Sequence, residues 1–174
     1  MRFAVFSNLI ILACVSLVSA QSNTTASLGT LGSTPNQRRS LNEAQAMRIL
    51  SAATEKATSL GIRENIAVLD PAGFLLAFIR MDNSFLASID ISQKKAKSVA
   101  LFNGAMTSGA LGMVPNASNT GLDLTNNGLL GVAGGVPVFI DGVFFGAVGV
   151  SGGSSDQDVE VATAGVNAVG STQM

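Results

Sequence analysis

The sequence predicts an α+β domain, an antiparallel sheet of about five strands with helices packed on it. Three observations carry that prediction. Apolar residues recur at helical spacing behind two capping-box patterns, Ser40 with Glu43 and Ser154 with Gln157. Short apolar runs are separated by tight-turn residues, Asp70, Pro71, Ala72, Gly73 in one place and Asp141, Gly142 in another. The elements follow the order α, β, β, α, loop, β, β, β, α, in which strands joined by short turns pair antiparallel.

The chain opens with Arg2 and an apolar run from Phe3 to Leu17, closing on Val18, Ser19, Ala20. Residues 1–20 are therefore expected to be a secretory signal peptide, and the chain a secreted one. Its removal would take away Cys14, the sole cysteine, so the core alone must stabilise the product in an oxidising compartment. Residues 21–39, rich in Ser, Thr, Asn and Gly, read as a disordered leader ahead of a domain at 40–174. The leader ends in Arg38 and Arg39, either a processing site or a solvated linker charge. Asn23 and Asn116 head Asn-x-Ser/Thr sequons, where a secreted eukaryotic protein could carry glycans.

Behind Ser40 and Glu43, residues Met47, Leu50, Ala53, Ala57 and Leu60 define a helix over about 41–60, stopped by Gly61. Strands at 66–69 and 74–79 flank the first turn, where Pro71 presets φ and Gly73 accepts a left-handed position. From 85 to about 102 the pattern is helical again, with Phe85, Ile89, Ala96, Val99 and Ala100 on one arc. Lys95 falls near the edge of that arc. It is either a snorkelling surface lysine or a cation whose stem lies on apolar surface and whose ammonium reaches a cavity mouth. Residues 114–128 form a polar, Asn-rich segment too long for a simple connection. Strands are expected at 129–132, 136–140 and 143–150, and Val159, Ala162, Val166 and Val169 stripe the last helix.

Composition prunes the chemistry. The 174 residues are 47% hydrophobic and 12% charged, with no His, Trp or Tyr, so no Ser/His/Asp triad and no imidazole or thiolate zinc site can be built, and no metal site is assigned. A formal net charge of −1 offers no electrostatic case for nucleic acid or an anionic membrane surface. What remains is backbone, hydroxyls and a few cations. Glycines cluster at 131, 134 and 135 and at 146, 149, 152 and 153, where a ligand or a helix can approach the backbone closely. The second cluster runs into a helix N-terminus, which favours an anionic group such as a carboxylate. Arg80 ends an apolar strand, as a solvated strand end or as a carboxylate-recognition group. Asp156, Asp158 and Glu160 are expected mainly to complement the helix dipole.

Several of these segments, taken in order, resemble one family. They are Val68 to Gly73 with Arg80, Met81, Asp82; Ser88 to Ile91 leading to Lys95, Ala96, Lys97, Ser98; Gly134, Gly135, Val136, Pro137; and Gly146 through Ser151, Gly152, Gly153 to Asp156, Gln157, Asp158. The chain resembles the GlcG/HbpS-like, heme-binding or heme-degrading domain family over about residues 41–170. The resemblance implies a profilin-like three-layer α-β-α domain, frequent homo-oligomers, and in some members binding of heme or a related small molecule. It carries ligand-binding expectations onto Lys95, Ser98, Gly134, Gly135, Ser151, Gly152, Gly153 and Asp156, with Arg80 beside them. Of the usual heme ligand types, the expected domain retains only Met47, Met81, Met106 and Met113, and Met47 and Met81 are expected to fill core gaps. The functional expectation is a secreted protein that binds a hydrophobic small molecule, heme being the candidate cofactor. The alternative is a cofactor-independent isomerase or cyclase acting on an apolar metabolite, for which no catalytic residue is assigned.

Overall fold

The computed structural model describes residues 38–114 and 121–173; the signal, most of the leader, Asn23 and Asn116 lie outside them. Helix α1 spans Glu43–Ser59, strands β1 and β2 Asn65–Leu69 and Leu75–Arg80, helix α2 Ser88–Leu101 and a short helix α3 Ser108–Gly112. Strands β3 and β4 cover Gly135–Ile140 and Val143–Ser151, and helix α4 Ser155–Asn167. The four strands form one sheet in the order β2-β1-β4-β3, every neighbour antiparallel. Helices cover both faces.

Local chemistry explains most boundaries. At the first hairpin Asp70 Oδ1 accepts from the N–H groups of Ala72 and Phe74, at 2.9 and 2.8 Å, and Gly73 takes φ +85°. Asp141 and Gly142 both have positive φ, as a two-residue hairpin turn requires. Ser154 and Gln157 close the expected capping box on α4. On α1 the box is formed by Asn42 and Gln45, two residues beyond the expected pair.

Alternate residues of the sheet face opposite layers. Ile66, Val68, Val148 and Val150 pack under α1 and α4 with Ile49, Ala53, Val161 and Val166, all fully buried. Each of these valines and isoleucines removed from water contributes about 1.5–3 kcal/mol. Ala67, Leu69 and Ala147 face α2 through Ala96, Val99 and Ala100. That layer is thinner because its contacts are small. A Cβ at Gly149 would lie 2.7 Å from Ala96 N, so glycine is what lets α2 rest on the β4 backbone.

Two expectations are corrected. The stretch 129–132 is not a strand, so the sheet has four strands among the described residues instead of about five. Its backbone is satisfied by hydroxyls: Leu130 N–H donates to Ser98 Oγ at 2.7 Å, and Ser108 Oγ donates to Val132 O at 2.6 Å. Helix α2 begins at Ser88, with Phe85 and Leu86 exposed before it, and its buried face includes Ser88, Ser92, Lys95, Ala96 and Val99.

The chain just before α1 also touches the sheet. Strand β1 ends opposite Ala147, which leaves the start of β4 open on that side. There Arg39 and Leu41 donate backbone N–H bonds to the carbonyls of Phe144 and Phe145, at 2.9 and 3.2 Å.

Candidate functional site

Lys95 lies on α2, yet its partner is on the opposite side of the sheet. Its stem passes the start of β3, and Nζ reaches Asp158 Oδ2 on α4 at 2.5 Å and Val150 O at 2.9 Å. The residue is 1% exposed, so it is an interior cation, neither a snorkelling surface lysine nor one held at a mouth. Gly134 and Gly135 make the passage. A Cβ on Gly134 would stand 2.8 Å from Lys95 Nζ and from Asp158 Cβ, and one on Gly135 would collide with the Lys95 carbonyl.

The other oxygen of Asp158 accepts the Gly153 N–H at 3.0 Å, and Glu64 Oε2 accepts the same N–H at 3.1 Å. The helix N-terminus that the sequence offers to a ligand carboxylate is thus occupied by two carboxylates of the chain itself. Gly152 and Gly153 are required there: a Cβ on Gly153 would lie 2.9 Å from Glu64 Oε1, and one on Gly152 2.5 Å from Glu64 Oε2. Glu64 is fully buried and its Oε1 has no hydrogen-bond partner among the described residues. Burial, then the Asp158 charge, raises its pKa to about 7 against the opposing pull of the Gly153 N–H and Lys95.

The remaining expected residues separate. Ser98 accepts from Leu130 and donates to Lys94 O at 3.0 Å, and Ser151 Oγ donates to Ser88 Oγ at 3.2 Å; both serines are buried supports. Asp156 is exposed, and Asp158, two residues on, is the carboxylate at the glycine turn. Arg80, paired with Asn65 at the end of β2, is exposed at the rim of a recess.

That recess belongs to a groove the sequence did not reveal. Between α1 and the edge strand β2 runs an open concavity of about 730 Å³, lined by Met47, Leu50, Leu76 and Ile79 with Glu43 and Glu55 along α1. A second hollow of about 510 Å³ shares Thr54 and Ile79 with it and is lined by Arg63, Arg80 and Asp82. Met47 is 55% exposed on the groove wall; the expectation that it fills a core gap fails because Ala46, Ile49 and Ala53 form the buried stripe of α1. Met81 is buried as expected. Arg63 carries no motif, and only the register of β1 with β2 brings it beside Arg80. No group of three or more acidic, Cys or His side chains among the described residues could hold a metal ion.

Fold and site together define a sheet-centred α+β domain whose two helix layers are joined by a buried ion pair, with an open apolar groove along its edge strand. A family model described as haem degrading protein, HbpS-like, matches residues 41–167. The chain belongs to that family. It is 40% identical over 111 residues to Protein GlcG of Escherichia coli K12, covering 64% of this chain and 81% of GlcG. Among solved structures, the PduOC:heme complex superposes with a TM-score of 0.71 at 26% identity, over 78% of this chain and 100% of PduOC. A double mutant of HbpS from Streptomyces reticuli superposes with a TM-score of 0.68 at 28% identity, over 87% and 99% of the two chains.

Proposed function

We propose that the chain is a secreted, homo-oligomeric domain that binds an apolar small molecule of the heme class in the groove between α1 and β2. The observation that carries this reading is the groove: about 730 Å³ with apolar side chains on its wall, joined to a hollow lined by Arg63, Arg80 and Asp82. Its size lies within the usual range for small-molecule sites. The residues present fit a heme, because Met47 offers a soft thioether ligand on the wall and Leu76 and Ile79 offer apolar surface for the macrocycle. Bound there, heme would supply its own redox and ligand chemistry, while the chain would hold it and shield one face from water. Secretion rests on the signal-peptide pattern of residues 1–20, glycosylation on the sequons at Asn23 and Asn116, and a profilin-like layer order on the family resemblance. Self-association is supported by Phe74, Leu75, Phe85 and Leu86, which are 72%, 49%, 67% and 69% exposed around the open edge of β2.

One preparation tests the whole reading. The full chain is expressed in a eukaryotic secretory host, the medium is collected, and the product's mass is measured before and after glycosidase and by light scattering. The expected species starts at Gln21, loses mass on deglycosylation and is larger than a monomer. Hemin titration of that product should give a saturable Soret shift, which Leu76→Asp in the groove weakens at least tenfold. No saturable shift at micromolar protein would sink the heme reading.

A further inference from the structure

We propose that Arg63 and Arg80 are a carboxylate-recognition pair at one end of the groove, so that the molecule the groove selects is an apolar acid with its head group between the two guanidiniums. The assignment rests on the groove being the ligand site, and it narrows what that site takes. Met81 N–H bonds to Glu64 O at 3.0 Å and Arg80 pairs with Asn65, so the two arginines lie on adjoining chain segments at the same end of the sheet. Both line the 510 Å³ hollow.

Neither guanidinium has a partner among the described residues, whereas Lys56, Lys94 and Lys95 are paired with Glu160, Asp90 and Asp158. Asp82 lines the same hollow without coming within ion-pair distance of either arginine. Two planar forks that stay charged at any physiological pH are suited to bidentate binding of a carboxylate. Thr54 adds a third polar group. Its Oγ1 is shielded from solvent, has no hydrogen-bond partner among the described residues, and belongs to a side chain lining both the hollow and the groove.

The groove fixes the direction of the ligand. Its wall follows α1 from Glu55 back to Glu43, which at 1.5 Å per residue is about 18 Å. At the far end the lining offers a carboxylate only Glu43 and no cation, whereas at the near end Arg63 and Arg80 stand beside Glu55 and Asp82. An acid therefore binds head to the arginines, with its apolar body along Ile79, Leu76 and Met47.

The test compares decanoate with methyl decanoate, by calorimetry on the full secreted chain. The acid should bind at least tenfold more tightly than the ester. In the double variant Arg63→Ala, Arg80→Ala that preference should vanish with ester affinity unchanged, and Arg63→Lys, Arg80→Lys should restore part of it. Equal affinity for acid and ester in the unmodified chain, a preference that survives the double alanine variant, or no binding of either probe overturns the proposal. Hemin and its dimethyl ester, titrated in parallel, separate the two readings. Equal Soret shifts with both hemins, together with no preference for decanoate, leave the groove and remove the arginine pair. A decanoate preference without any hemin shift leaves the pair and removes heme.

Discussion

Glu64 has two neighbours of opposite effect, the Asp158 carboxylate that resists its ionisation and the Lys95 ammonium that favours it, and burial tips the balance toward the neutral acid. Its folded pKa of about 7 stands above the ordinary 4.5, so between those values the folded chain holds a proton that the unfolded chain has released. The stabilisation from Glu64 is therefore complete below about 4.5 and is lost as pH rises through about 7. Urea midpoints of the unmodified chain and of Glu64→Gln, compared at pH 5 and pH 8, should show the variant gaining on the parent by on the order of 2 kcal/mol at the higher pH. A constant difference would exclude the assignment. Nothing local in the sequence marks Glu64 as special, because both the charges that shift it are more than 30 residues away along the chain. Lys95 was visible as an unusual position on α2, but its partner was not: a serine-lined buried face carries it inward where an apolar arc was expected.

Elements fixed by short-range chemistry were legible, and those fixed by distant partners were not. The hairpin turns depend on Asp70, Gly73, Asp141 and Gly142 within a few residues, and the α4 cap on Ser154 and Gln157, so each could be read in place. At the start of α1 two capping pairs compete in the sequence, Ser40 with Glu43 and Asn42 with Gln45, and the structure uses the second. The supposed strand at 129–132 failed for a different reason, since Ser98 and Ser108 supply its hydrogen bonds from 32 and 24 residues away. The closeness of α2 to β4 yields a test at this scale. Gly149→Ala would press a methyl against the backbone of Ser92 and Ala96 and should destabilise the fold by about 1–3 kcal/mol in urea unfolding. An unchanged midpoint would mean that α2 is not held on the β4 backbone.

The arrangement of the whole molecule accounts for what the sequence did and did not disclose about the site. The glycine turns, Lys95 and the Ser-Gly-Gly segment were recognisable as a constellation, and the structure does bring most of them together, around charges supplied by the chain itself. The groove was not legible, because it arises only where α1 and β2 meet across the sheet edge and its residues carry no motif. The Lys95–Asp158 pair, which crosses from one helix layer to the other, has a further consequence. Releasing either α2 or α4 alone would leave a buried charge without its counterion, a state costly enough to be sparsely populated. Opening of the two helices should then be a single event: in native-state hydrogen exchange, the slowest amides of α2 and α4 should share one opening free energy and one denaturant dependence, as members of one cooperative unit. Two distinct opening free energies would show the layers to be independent, whereas a shared one would make a side chain passing a gap of two glycines the reason that a two-faced sheet behaves as one body.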